Sequence, residues 1–136
     1  IPVGYVDAYY EFTDYPKIAE ACDVILANCY PYWEGCSIDY SLIYMKQMYQ
    51  QAQRAAAGKP VIITETGWPS QGEPLGAAVP GYSNALKYFI DAISWSKEED
   101  IPMFYFSSFD ESWKVSAEGS VGAYWGIWDQ NHQLKF

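Results

Sequence analysis

The sequence predicts an α/β domain in which four parallel β-strands alternate with helices, half of an eight-stranded barrel. Three observations carry this reading. The stretch from Pro60 to Ser70 opens with Val61, Ile62, Ile63 and Thr64, all β-branched and without polar alternation before Thr64, which predicts a strand buried on both faces. Three further strand-like segments are separated from it by helical patterns, the arrangement that gives a parallel sheet with right-handed crossovers. Loops that follow the strands are richer in acids and aromatics than loops that precede them. The central strand ends in Glu65 with Gly67, Trp68 and Pro69 at once behind it, and an acid at the C-terminal end of a buried parallel strand is how an α/β barrel presents a catalytic group.

Each element has its own signal. Pro2 to Ala8 reads as a first short strand, followed by the polar and aromatic run Tyr9 to Thr13. Asp14 is placed to cap a short helix with Pro16 in its first turn, ending near Ala21. Asp23 to Tyr30 predicts a second buried strand, ending in the aromatic loop Pro31-Tyr32-Trp33-Glu34-Gly35. Ser37 or Asp39 then caps a long helix whose apolar face comprises Ile38, Leu42, Met45, Tyr49, Ala52 and Ala56. Gly58 ends that helix in the left-handed position and Pro60 opens the next strand. Gln71 to Gly81, rich in Gly, Ala and Pro, forms a loop over the strand ends. A second long helix is expected over Ser83 to Lys97, with Leu86, Phe89 or Ile90, and Ile93 on its buried face. The fourth strand is Pro102 to Ser108, and the chain closes with a small hairpin pairing Tyr124–Asp129 with Gln133–Phe136.

Composition excludes several classes. A chain of 136 residues that is 50% apolar forms one ordinary domain with a real core. Its net charge of −9 opposes binding to nucleic acid or to an anionic membrane surface and suits a neutral or cationic ligand. Thirteen Tyr and six Trp exceed what a core of this size needs, and aromatic rings on loops commonly stack on sugar faces. No apolar run reaches membrane-spanning length. The opening on Ile1-Pro2, already inside a strand-like segment, predicts a piece of a longer chain. Cys22, Cys29 and Cys36 are odd in number and form no disulfide framework; Cys29 lies in an apolar run and is expected to be buried. His132 is the only histidine and lies far from them, so no metal site is expected. No Gly-x-Gly-x-x-Gly or Walker-type loop follows any strand, and no cofactor is expected.

Thr64-Glu65-Thr66-Gly67-Trp68-Pro69-Ser70 resembles the signature of glycoside hydrolase family 17, the β-1,3-glucanases and related β-glucan transferases. Asn28-Cys29-Tyr30-Pro31-Tyr32 resembles the family's Asn-x-Tyr-Pro-Tyr after the sixth strand of its (β/α)8 TIM barrel, and Phe109-Asp110-Glu111-Ser112-Trp113-Lys114 its Phe-Asp-Glu-x-x-Lys after the eighth. Gly122 to Asp129 resembles its closing Trp-Gly segment. The resemblance runs in order along nearly the whole chain and implies barrel strands five to eight, a C-terminal half-barrel. It implies Glu65 as the retaining nucleophile, since the chemistry needs a compact, ionised carboxylate that can also leave. Glu111 and Lys114 would stand beside it, the lysine holding Glu65 ionised, and Glu118 aligns with a further acid of the cleft. Asn28, Tyr30, Tyr32, Trp68, Phe109 and Trp113 would line the sugar groove, whereas Trp125 and Trp128 are expected to pack. A β-glucan oligosaccharide or polysaccharide is the implied ligand, and a secreted, periplasmic or membrane-attached parent is implied rather than a cytoplasmic one.

One departure qualifies the resemblance. The family takes its acid/base from an Asn-Glu pair after barrel strand four, and here Asn28, Asn84 and Asn131 are followed by Cys, Ala and His. A retaining glycosidase needs two carboxyls about 5 Å apart. Loss of the acid/base typically removes a factor of about 10² to 10⁴ in rate. The chain is therefore expected to be weakly active or inactive alone. Two other readings stand beside the enzyme: a non-catalytic half-barrel that binds β-glucan, and an assembly unit that pairs with a second copy or with the missing N-terminal half to close the barrel.

Overall fold

The computed structural model describes residues 1–136. Four parallel strands form one sheet in the order β1-β2-β3-β4: β1 is Gly4–Ala8, β2 Val24–Asn28, β3 Val61–Thr66 and β4 Met103–Tyr105. Helices fill the crossovers, as predicted. A short α1 (Glu11–Asp14) and α2 (Pro16–Ala21) join β1 to β2, α3 (Ser41–Ala56) joins β2 to β3, and α4 (Tyr82–Glu98) joins β3 to β4. A last short helix, α5 (Val115–Glu118), lies between two 3₁₀ turns beyond β4. Four βα units in consecutive order are consistent with a partial α/β barrel.

The core lies between the sheet and the helices on one of its faces. Ile25 and Ala27 of β2 and Val61 and Ile63 of β3 meet Met45, Met48, Ala52 and Ala56 of α3 and Trp95 of α4. Ile25 and Ile63 are fully covered, and burying each stabilises the fold by about 1.5–3 kcal/mol relative to exposure. Cys29 is buried, as its apolar run implied. The expectation of strands buried on both faces is corrected: burial alternates along β2 and β3, and Leu26 and Ile62 are only half-buried. Their face of the sheet has no second layer in this chain, so Val6 is 46% and Phe104 65% exposed.

Boundaries differ from expectation where backbone geometry outweighs side-chain signals. Asp14 does not cap α2; it ends the separate α1, and Tyr15 takes the cap position. Neither Ser37 nor Asp39 caps α3 through its side chain, because a 3₁₀ turn over Ile38–Tyr40 intervenes. The left-handed cap of α3 falls on Ala57 (φ 51°), with Gly58 (φ 91°) behind it. The buried face of α4 is Ala85, Tyr88, Ala92 and Trp95, one residue out of step with the predicted face; Leu86, Phe89 and Ile93 flank it and Ile90 is exposed. Small alanines let α4 approach closely while Tyr88 and Trp95 fill the volume between, a pattern that apolarity alone does not reveal. The fourth strand is shorter than predicted, and the closing hairpin is reduced to one antiparallel bridge, Trp128 with Leu134.

Two contacts tie the elements together, one at each end of the sheet. Lys59 donates to the carbonyls of Ala19, Glu20 and Cys22 at 2.7, 2.8 and 2.7 Å. Its ammonium thus satisfies the C-terminus of α2, which has no basic residue of its own in its last turn. Gly67 lets the exits of β3 and β4 touch: a Cβ there would lie 2.1 Å from the carbonyl oxygen of Phe106.

Candidate active site

Glu65 stands at the C-terminal end of β3, where the register of the sheet slips. Ala27 pairs with Ile63, but the next residue of β2, Asn28, pairs with Glu65. Two residues of β3 thus oppose one of β2, and such a bulge re-aims side chains at a strand end. Thr64 donates its hydroxyl to Asn28 Oδ1 at 2.8 Å, and Glu65 Oε2 accepts the Tyr30 hydroxyl at 2.9 Å. Burial first, then the negative charge of Glu65, pushes the Tyr30 phenol far above its ordinary range, so it remains a neutral donor.

The loop after β4 brings the second group of charges. Lys114 Nζ pairs with Glu111 Oε2 at 2.6 Å and lies 4.0 Å from the centre of the Phe106 ring. No ion pair joins Lys114 to Glu65, so the lysine's direct partner is Glu111 and not the predicted nucleophile. Burial raises the Glu118 carboxyl above its usual value, opposed by Lys114 and by the Trp125 indole N–H, and reinforced by the like charges of Glu111 and Glu65. Three acids and one lysine from two strand exits therefore share one electrostatic neighbourhood. The Trp125 Nε1 has no partner at hydrogen-bond distance, yet it is near enough to favour the charged form of Glu118.

The predicted groove residues separate into two sets. Asn28 and Tyr30 face Thr64 and Glu65 at the C-terminal end of the strands. Tyr32 and Trp68 do not line an open groove: each is 1% exposed, the Tyr32 hydroxyl donates to the Glu73 carbonyl and the Trp68 indole N–H to the Val79 carbonyl. Both belong to a second core with Tyr88, Trp125 and Val121, because the loop over Gln71–Gly81 folds down onto them. Phe109 turns to the His132 ring, with centroids 5.1 Å apart, and Trp113 is 68% exposed. Trp125 packs as expected, edge-on to Tyr30 and Tyr32, whereas Trp128 is partly exposed rather than packed.

A crevice of about 310 Å³ opens beside Tyr30, lined by Ala8, Tyr9, Tyr10, Asn28, Trp33 and Glu34. The Tyr9 hydroxyl is driven well above its ordinary value by burial and then by hydrogen bonding to Glu34, which also accepts from Tyr44. Sequence reasoning placed Asn28 and Tyr30 in the groove but left Tyr9, Tyr10, Trp33 and Glu34 as aromatic loops after strands without a role. The signal available was position, since they follow β1 and β2 as Glu65 ends β3. A larger concavity of about 610 Å³ lies at the other end of the strands, around Pro2, Asp23 and Pro60. It is part of the uncovered sheet face and is lined by none of Glu65, Glu111, Glu118, Tyr30 and Lys114.

Fold and site together define the C-terminal-end face of a partial α/β barrel with a carboxylate at its centre. The BtgE/BtgC glycoside hydrolase domain matches residues 1–126, and the chain belongs to this family, within glycoside hydrolase family 17. Over its whole length it is 33% identical to the glucan 1,3-beta-glucosidase BGL2 of Candida albicans, covering 47% of that protein. It is 34% identical over 128 residues, 93% of this chain and 32% of the relative, to the probable family 17 glucosidase SCW4 of Saccharomyces cerevisiae. The crystal structure of the family 17 β-1,3-glucanosyltransferase from Rhizomucor miehei superimposes with a TM-score of 0.90 at 35% identity, over 98% of this chain and 48% of that one. An active-site mutant of the Rhizomucor enzyme was solved with laminaritriose (TM-score 0.89, 34% identity, the same coverage of both chains). The chain thus spans about half the length of BGL2 and of the Rhizomucor enzyme, and about a third of SCW4. No helix is long and apolar enough to cross a membrane.

Proposed function

We propose that this chain carries the nucleophile side of a retaining β-1,3-glucan hydrolase or glucanosyltransferase, with Glu65 as the nucleophile. The observation that carries the reading is the placement of Glu65: a carboxylate at a parallel strand's C-terminal end, held by a neutral phenol donor from the adjacent strand exit. In the first step a Glu65 oxygen forms a bond to the anomeric carbon while the glycosidic C–O bond breaks, and the leaving oxygen takes a proton from a general acid. In the second step water or a sugar hydroxyl attacks the same carbon, gives up its proton to that group, and releases Glu65. Tyr30 orients the carboxylate, and Glu111, Lys114 and Glu118 set the local charge. The Asn-Glu acid/base of the family has no counterpart here, so the complete reaction is assigned to a closed barrel that includes the other half. The parent protein acts on β-glucan at or beyond the cell surface, which agrees with the cell surface mannoprotein MP65 of Candida albicans among the relatives, 32% identical over 130 residues.

The uncovered apolar sheet face favours a second reading, a half-barrel that binds glucan or assembles without turnover. A 2-deoxy-2-fluoro-β-laminaribiosyl fluoride separates the two. Fluoride leaves without a proton, so trapping needs a nucleophile and no general acid, and the 2-fluoro group slows release of the ester. The expected result is a single glycosyl adduct, seen by intact mass and mapped to Glu65, which is lost in Glu65→Gln. Absence of the adduct, or its persistence in Glu65→Gln, removes Glu65 from the chemistry. Retardation in a laminarin-containing gel without trapping then supports the binding module.

A further inference from the structure

Asp110 lies inside the Phe-Asp-Glu motif, and nothing in the proposed reaction uses it. Its side chain is 9% exposed and pairs with Lys135, whose own side chain is 2% exposed, at 2.7 Å. The Lys135 ammonium also donates to Ser70 Oγ at 2.8 Å and to the Tyr124 carbonyl at 3.4 Å. Asp110 Oδ1 additionally accepts the Gly126 N–H at 2.9 Å, and the Asp110 N–H donates to the Trp128 carbonyl at 2.9 Å. Ser70 is tied to the same segment, its N–H donating to the Tyr124 carbonyl at 2.9 Å. Every charge in this group is satisfied, and three separate stretches of chain converge on it. One continues from the end of β3, one contains Glu111, and one is the closing segment.

A buried ion pair is weak evidence for stability, because apolar residues of similar volume often serve as well; its best-attested use is to fix register. The packing here fits that use. A Cβ on Gly126 would lie 2.2 Å from the Asp110 nitrogen and 2.3 Å from the Phe109 carbonyl carbon, so the closing segment is pressed against the residues just before Glu111.

We infer that Lys135 is a positioning residue: its buried pair with Asp110, bridged to Ser70, locks the Glu111–Lys114 loop in place relative to the strand end that carries Glu65. The inference deepens the proposed function and rests on it. It concerns how the charged loop is aimed at Glu65.

The test uses Lys135→Met, Asp110→Ala and Asp110→Asn, each read in two ways. The first is trapping by the 2-fluoro laminaribiosyl fluoride, resolved into a first-order constant and a half-saturating concentration. A misplacement near 1 Å can cost about 10²-fold in rate. Lys135→Met and Asp110→Ala are therefore expected to lower the first-order constant at least about tenfold, with the half-saturating concentration changed by less than about threefold. Asp110→Asn keeps the Oδ1 acceptor for the Gly126 N–H but leaves the buried Lys135 ammonium without its counter-charge, so its rate is expected to fall between those of the unaltered chain and Asp110→Ala. The second reading is hydrogen exchange. In the unaltered chain the Asp110, Lys114 and Gly126 amides are expected to be protected. In Lys135→Met they open, while Ile25 and Ile63 in the sheet stay protected.

Folded Lys135→Met or Asp110→Ala chains that trap at the unaltered rate overturn the inference. So does an Asp110→Asn chain as slow as Asp110→Ala, since the Oδ1 hydrogen bonds then do nothing to place the loop. Where the stronger variants lose a cooperative melt, the unaltered chain decides: rapid exchange at Asp110 and Gly126 rules out a lock. Where the unaltered chain does not trap, the proposed nucleophile has failed, and exchange in Lys135→Met still judges the lock on its own.

Discussion

A carboxylate that attacks carbon must be both ionised and aimed, and the Glu65–Tyr30 contact addresses the second need. The Tyr30 ring is held edge-on by Phe106 and Trp125, with centroids 6.5 and 5.5 Å away, so its hydroxyl has little freedom to leave Glu65 Oε2. Glu118, beside them, is held toward its protonated form by its surroundings. Burial raises its pKa above 4.5, with Glu111 and Glu65 adding to the effect and Lys114 and Trp125 opposing it. The folded chain therefore binds that proton more tightly than the unfolded chain does. This contribution to stability is fully present below the ordinary pKa and is lost as pH rises through the raised value. Glu118→Gln removes the titration. Its melting temperature is expected to rise relative to the unaltered chain between about pH 4 and about pH 7, measured by circular dichroism at each pH. A difference that is constant or falls over this interval would show that Glu118 sits in an environment unlike the one described.

At the scale of elements, β3 shows what sequence pattern conveys and what it omits. Its β-branched run marked the strand, and the Gly-Trp-Pro that follows marked its end. The bulge that turns Glu65 toward Tyr30 depends on how β2 and β3 pair, and no local signal in either segment encodes that slip. The groove expected at Tyr32 and Trp68 failed for a related reason. An aromatic after a strand can face the solvent or the loop beyond it, and here the Gln71–Gly81 segment supplies backbone acceptors for both polar tips. Gly67 is fixed by contact, not by φ: its Cα faces the Phe106 carbonyl, and a methyl group there must displace the backbone just beyond β4. Overpacking of a well-packed site costs about 1–3 kcal/mol, occasionally more, and backbone cannot rotate aside as a side chain does. Gly67→Ala is expected to lower stability by at least about 2 kcal/mol in urea denaturation. A loss below about 0.5 kcal/mol would mean that the two strand exits are not locked together at this point.

The whole molecule is a sheet with one finished face. Alternation of apolar and helical stretches was enough to read the four βα units, their order and the end of the sheet that carries acids. The same reading placed apolar residues on both faces of the strands but could not say that one face lacks a cover, because cover is a property of what lies opposite. Val6, Phe104 and the half-buried Leu26 and Ile62 form that face, and Tyr5, which pairs with Ile25 on the other face, is exposed at the β1 edge. An unpaired strand edge beside exposed apolar side chains is a template for association. A second copy offers the complementary edge, and a two-fold pair would bring two sheets of four parallel strands around one interior. Such a pair restores the barrel's shape without restoring its site, since two Glu65 carboxylates would stand at symmetric positions with no family acid/base at either. Sedimentation equilibrium is expected to give a mass approaching twice 15.5 kDa as concentration rises. Val6→Lys combined with Phe104→Lys places two like charges on the interior face and is expected to return the mass to 15.5 kDa with the melting temperature little changed, because neither side chain contributes to the core. An unaltered chain that stays at 15.5 kDa throughout, or a double variant that still pairs, would rule out this face as the site of association.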